Sequence, residues 1–218
     1  MLKKYSVLRG FVILCVGLFV FCLPPLQAQD SDFVTWNKMK ARHDVSSKVE
    51  LYGDVEMRTR DALDEIDRWG FGVGTSVLLL PFLKAEGGYE YHYRNRGEDG
   101  WKSRHRYHAG VSFTLKKRQW TFTLRERFQH TLGSEHEYRL RTRLQAKVEA
   151  TDRLSPYLWV EMYNDLGRGG HFSLARVRYR GGCEYRWTDT FSTDGFYLYQ
   201  SQPGARRHVV GLEANFSF

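Results

Sequence analysis

The sequence is poor in residues that staple or interrupt a chain. Of 218 residues only three are cysteine and five are proline. Cys15 and Cys22 lie in the first apolar stretch, so beyond it Cys183 stands alone and no internal disulfide can form. An exported domain without disulfides must be held by a large core or a closed sheet. Long apolar runs are also missing after Leu23, which excludes a membrane-spanning helix of ~20 residues in the body of the chain. There is no Cys-x-x-Cys pair, phosphate loop or dinucleotide fingerprint, so no cofactor is expected. His105 and His108 are spaced to face opposite sides of a strand, so no metal is expected either. Gly70, Gly72 and Gly74 alternate along one strand face, where they make room inside a barrel or ease its curvature.

What is present begins with an export signal. Lys3, Lys4 and Arg9 precede an uncharged run from Gly10 to Leu23, Pro24 and Pro25 break it, and Ala28 offers a small residue for cleavage. This is the layout of a secretory signal peptide over residues 1–28. Neither Cys15 after Leu14 nor Cys22 after Phe21 suits lipid attachment. The net charge of +8 would fit nucleic acid in a cytosolic protein, but export argues against that partner. Aromatic residues make up 15%, too many for a disordered chain.

The remainder alternates with period two. From Tyr138 to Ala150, Leu140, Thr142, Leu144, Ala146 and Val148 share one face, while Arg139, Arg141, Arg143, Gln145, Lys147 and Glu149 share the other. A helix would mix these sets; a strand separates them. The same pattern predicts ten strands, starting near 48, 68, 83, 103, 119, 137, 155, 172, 190 and 208. They are longer than the ~5–6 residues of most globular strands and suit tilted membrane strands. Short connections at 80–82, 116–119, 151–155 and 188–190 alternate with longer ones at 61–67, 95–102, 129–137, 165–171 and 201–207, as short periplasmic turns alternate with outer loops. The mean hydropathy of −0.53 fits such a protein, because a membrane barrel shows lipid only every second residue. Trp69, Trp101, Trp120, Tyr157, Trp159 and Trp187 lie near strand ends, where aromatics favour the lipid–water interface; strand propensity explains them equally.

Phe33 to Arg42 alternates poorly, and parity argues against a strand there, because it would begin outside, where the N-terminus of an exported chain does not normally lie. The reading is therefore an all-β chain with a single antiparallel up-and-down transmembrane barrel of about ten strands over residues 48–218. Twelve is the alternative, and residues 29–47 form a short N-terminal extension. A soluble periplasmic β-sandwich or barrel with the apolar face as core is the competing fold. The expected place is the outer membrane of a Gram-negative bacterium, reached by export through the inner membrane.

The C-terminal strand ends Val210, Leu212, Ala214, Phe216, Phe218 on one face. A terminal Phe after such a strand resembles the signal read by barrel-assembly machinery, with Val210, Leu212, Phe216 and Phe218 as its apolar positions. The chain as a whole is similar to a family of uncharacterised bacterial outer-membrane barrels, a domain of unknown function. The resemblance rests on Trp36, the Glu/Arg strand Val49 to Arg60, Gly88-Tyr89, the Arg-rich hairpin Leu124 to Arg143 and the strand of Glu161. It implies the fold and location and supplies no catalytic residues.

With the apolar face toward lipid, the inner face is a charge network. Its acids are Glu50, Asp54, Glu56, Glu86, Glu90, Glu149, Glu161, Glu184 and Glu213. Its bases include Arg58, Arg60, Lys84, Arg94, Arg104, Arg106, Arg125, Arg127, Arg139, Arg141, Arg143, Lys147, Arg176, Arg178, Arg180 and Arg186. A barrel of ten strands is narrow. Paired Arg and Glu side chains would fill it and fix register, and the excess of bases would favour small anionic solutes. Glu126 alone falls on the lipid face, which calls for a bulge or a place at the outer rim. An enzyme at the outer rim is the remaining alternative, with His92, His105, His108, His130, His136 or His171, the acids Glu90, Asp99, Glu135 or Asp165, and Ser103 or Ser134 as nucleophile. The expected partners are outer-membrane lipid, barrel-assembly machinery and small anions.

Overall fold

A computed structural model describes residues 31–60, 64–133, 136–167 and 172–218. The signal segment 1–28 therefore lies outside the described residues. So do Ser134, Glu135 and His171 of the enzyme reading.

Eleven strands form a single closed sheet: β1 Ser31–Asp44, β2 Val49–Arg60, β3 Glu65–Leu80, β4 Leu83–Asn95, β5 Trp101–Lys117, β6 Trp120–Leu132, β7 Glu137–Val148, β8 Leu154–Leu166, β9 Phe172–Arg186, β10 Phe191–Gln202 and β11 Ala205–Ser217. Each pairs antiparallel with the next in sequence. The ten predicted strands are β2 to β11, each beginning within a few residues of its expected start.

The segment read as an N-terminal extension is instead strand β1, in register with β2 from Trp36 opposite Arg58 to Asp44 opposite Glu50. Parity weighed only where the N-terminus would lie; β1 completes the sheet because it also pairs with β11, and that pairing is parallel. Phe218 N–H donates to Arg42 O (3.0 Å) and Asp44 N–H to Phe218 O (3.2 Å). One residue bonding on both sides of a single position, here His43, is the pattern of a parallel pair. An odd number of up-and-down strands can close in no other way. A β-sandwich is likewise not what forms, since one sheet closes on itself.

The faces follow the alternation. Leu51, Phe71, Val73, Phe113, Leu115, Leu144, Leu158 and Leu212 point outward and are exposed, while the charged side chains enclose the lumen. That exposed band is far larger than a soluble monomer's usual apolar patch. Among the described residues the largest fully buried side chains lie inside: Val34, Glu161, Leu198 and Val209.

The connections are shorter than expected because the strands run further. The stretch 201–207 is only a two-residue turn, Pro203-Gly204, with Gly204 at φ +74°. At the opposite end Arg118 holds φ +55° in the turn between β5 and β6, a left-handed conformation that a side chain disfavours. Gly97–Asp99 makes one 3-10 turn between β4 and β5.

Candidate functional site: the charged lumen

The inward side chains surround a cavity of about 710 Å³. The strands β2 to β4 supply carboxylates that each find a nearby base. Glu50 meets Lys84 (3.3 Å), Asp54 meets Lys38 (2.9 Å) and Glu56 meets Arg58 (2.6 Å) and Arg68 (3.4 Å). Glu86 meets Arg127 (2.7 Å), and Glu90 meets Arg106 (3.0 Å). Asp67, expected in a loop, is turned inward by an irregularity opposite Arg58 and Thr59 and pairs with Arg94 at 3.3 Å. Arg60 pairs with Glu65, and Arg104 with Glu137 at 3.5 Å.

Glycines keep this side of the lumen clear. A Cβ on Gly74 would sit 2.4 Å from the Tyr52 ring, and one on Gly88 would sit 2.8 Å from the Tyr52 hydroxyl. The ring of Tyr52 lies in the space these two residues leave, and its hydroxyl reaches His108 Nε2 at 3.0 Å.

The strands β6, β7 and β9 are different in kind. They aim nine arginines and Lys147 inward. Glu161 on β8, with no solvent exposure, collects three of them: Arg125 (2.9 Å), Arg141 (2.7 Å) and Arg143 (3.0 Å). Arg139 meets Asp165 at 2.6 Å, and Lys147 meets Glu184 at 2.5 Å. Arg180 pairs with Asp194 (2.5 Å) and Glu213 (2.7 Å). Arg176 and Arg178 bond to neutral acceptors, Gln202 (3.0 Å) and Gln200 (2.8 Å), and Arg178 also to the Tyr163 hydroxyl. Arg186 lines the cavity near the short-turn end.

Aromatic rings support these guanidinium groups. Arg58 stacks on Trp36 at 3.5 Å, with Arg178 at 4.8 Å from the same ring. Arg143 lies over Trp159 (4.1 Å), Arg141 over Tyr163 (4.5 Å) and Arg180 over Phe196 (3.5 Å). Such contacts favour a cation held away from bulk water. Tyr157 and Trp159 therefore face the lumen, not the lipid–water interface expected for them. Trp101 and Trp187, by contrast, are exposed on the outside near strand ends.

The described histidines are divided between the two faces of the wall. His92 and His108 are buried in the lumen, His92 bonding Glu90 at 3.0 Å. His105 lies on the outer face against Tyr89 (2.6 Å), and His130 bonds His136 (3.0 Å). Ser103, opposite the outward Tyr93, shares the outer face of His105. The wall thus separates Ser103 from Glu90, His92 and His108. Asp99 is engaged by Lys102 at 2.9 Å and Asp165 by Arg139.

Glu126 is on the outer face as expected, but neither at the rim nor in a bulge. It sits midway along β6 in unbroken register, between Val111 and Thr142, and accepts a hydrogen bond from the Thr142 hydroxyl (2.9 Å). Glu149 lies beyond the end of β7, in the turn that leads to β8.

The C-terminal residues Val210, Leu212 and Phe218 are exposed on the outer face, and Phe216 stacks on Phe191 at 4.9 Å.

The family described as "Protein of unknown function (DUF2490)" matches residues 33–210, from the start of β1 to the middle of β11. The chain belongs to this family. The match takes in every strand of the barrel and both charged walls. Among solved structures, one from work on the in-meso crystallization of membrane proteins is similar at 11% identity and a TM-score of 0.43, covering 84% of this chain and 80% of that one. No curated protein matches the chain.

Proposed function

We propose that this family member is an outer-membrane barrel whose lumen is a narrow, anion-preferring passage braced by Arg–carboxylate pairs. The observation that carries the reading is the cavity lining, where sixteen lysines and arginines stand against seven aspartates and glutamates and, behind the lining arginines, four more paired carboxylates, Glu86, Glu137, Glu161 and Asp165, so bases still outnumber acids. Such an excess of fixed positive charge raises the local concentration of anions and repels cations. The outward apolar band supports placement in lipid, since hydrocarbon removes the cost of leaving that band unburied. The export signal and the terminal Phe support delivery to the outer membrane through the barrel-assembly machinery. Of the enzyme alternative, Ser103 shares the outer face with His105 and is separated by the wall from the inward His92 and His108.

The test is ion conductance of the refolded chain in a planar lipid bilayer, after a heat-dependent gel shift has shown a folded barrel. Stepwise current with a reversal potential on the anion side is expected. A folded barrel that stays silent would leave the charge network with a purely structural role.

A further inference from the structure

We propose that the β6–β7 hairpin forms, at mid-height in the lumen, a binding site for a small phosphorylated solute. The proposal rests on the reading of the lumen as open to anions and names what would stop there. Cross-strand register sets Arg125 directly opposite Arg143 and Arg127 directly opposite Arg141. Like charges directly opposed in a sheet repel one another, so this arrangement calls for anions between them. The chain supplies three, Glu161 to Arg125, Arg141 and Arg143, Glu86 to Arg127, and Glu90 to Arg127 (3.8 Å) and to Arg106. Five guanidinium groups, Arg106 included, thus share three carboxylates, and about two positive charges are left over.

Hydrogen bonding is also incomplete there. The Nε groups of Arg125 and Arg141 and the Nε2 of Gln129 are buried without an acceptor. Gln129 stands beside this quartet, opposite Arg139, and is 3% exposed. Buried donors seldom go unmatched in a folded protein, and all of these side chains line the cavity. A phosphate group carries up to two charges on one centre and offers several acceptor oxygens to the forked donors of arginine. Chloride offers one charge and no such geometry. A cavity of 710 Å³ falls within the range of small-molecule pockets, roughly 300–1,000 Å³. Arg176 follows across β8, in register through Tyr163 with Arg141, and its bonded acceptor is the neutral Gln202, so it extends the positive field.

The experiment is calorimetric titration of the refolded chain in detergent and chloride buffer, with pyrophosphate and inorganic phosphate as probes. Pyrophosphate should bind at about one per barrel and at least tenfold more tightly than phosphate. Arg141→Gln should weaken it at least tenfold, and still leaves Glu161 two arginines. Arg176→Gln, which strips no carboxylate of its partner, should weaken it about threefold and decides the matter if Arg141→Gln fails to fold. A folded wild-type barrel that gives no binding heat, or variants that bind as the wild type does, would overturn the site. Conductance separates the two readings: a conducting barrel that ignores pyrophosphate loses the site and keeps the passage. A silent barrel that binds it loses the passage and keeps the site.

Discussion

The wall from β2 to β5 and the wall from β6 to β9 obey the same alternation and settle their inward charge in opposite ways. In the first, each carboxylate has a base at hand and glycines leave space beside them. In the second, arginines outnumber carboxylates, share Glu161 and lean on the rings of Tyr163 and Trp159. Balanced pairs fix register and close space, whereas crowded arginines keep an unspent charge that can act on a solute. Under the proposed function, bracing falls mainly to one side of the lumen and selectivity to the other.

The strongest way to break this contrast is Glu161→Gln. It would leave three buried arginines facing one another without their shared anion, a loss of about 3–5 kcal/mol by the usual cost of stripping one partner from a buried pair. The temperature at which the folded gel band disappears should fall sharply. Glu90→Gln on the balanced wall should cost less, about 1–3 kcal/mol, because Glu90 remains partly exposed and its neighbours have other partners. Equal losses would mean the two walls bear charge alike. Space can be tested in the same assay. Gly211→Ala would place a Cβ 2.0 Å from the Phe196 ring, and overpacking of this kind costs about 1–3 kcal/mol. Gly195→Ala, with nothing within 4 Å of the new Cβ, should leave the melting temperature unchanged. A modest gain is expected at Arg118→Gly, which relieves a left-handed φ of +55° and should add about 1 kcal/mol. In conductance, Arg178→Gln should lower anion preference more than Lys84→Gln, read from reversal potentials in a salt gradient. The reverse order would move selectivity to the balanced wall.

Most of the barrel was legible because polar-in, apolar-out alternation is a local property. β1 escaped for a local reason. Its inward face opens with Val34 and Trp36 while Thr35 and Asn37 point outward, the inverse of the pattern on other strands. Tyr157 and Trp159 were assigned to the interface because their outward neighbours Leu158 and Val160 are apolar too, so polarity gave no contrast between faces. His92 and His108 lie three and seven residues inside the loop-side ends of β4 and β5, further from the rim than the enzyme reading needs. The charge set itself could be read from the sequence, but not who meets whom. Glu161 reaches Arg125 two strands away, a choice made by strand stagger and barrel curvature and absent from any single segment. Glu126 shows that a carboxylate can sit on the outer face at mid-height when an adjacent hydroxyl answers it.

The parallel seam at His43 and Phe218 carries a consequence for how the barrel comes to exist. Each hairpin from β1 to β11 can zip up with its sequence neighbour, at a small entropic cost for a short loop. The seam alone joins the two extremes of the sheet, so it cannot form before the final residue is available. Until then β1 and β11 are two bare sheet edges, each able to pair with a stranger. Aggregation during biogenesis should therefore depend on how long those edges wait, and on what shields them meanwhile.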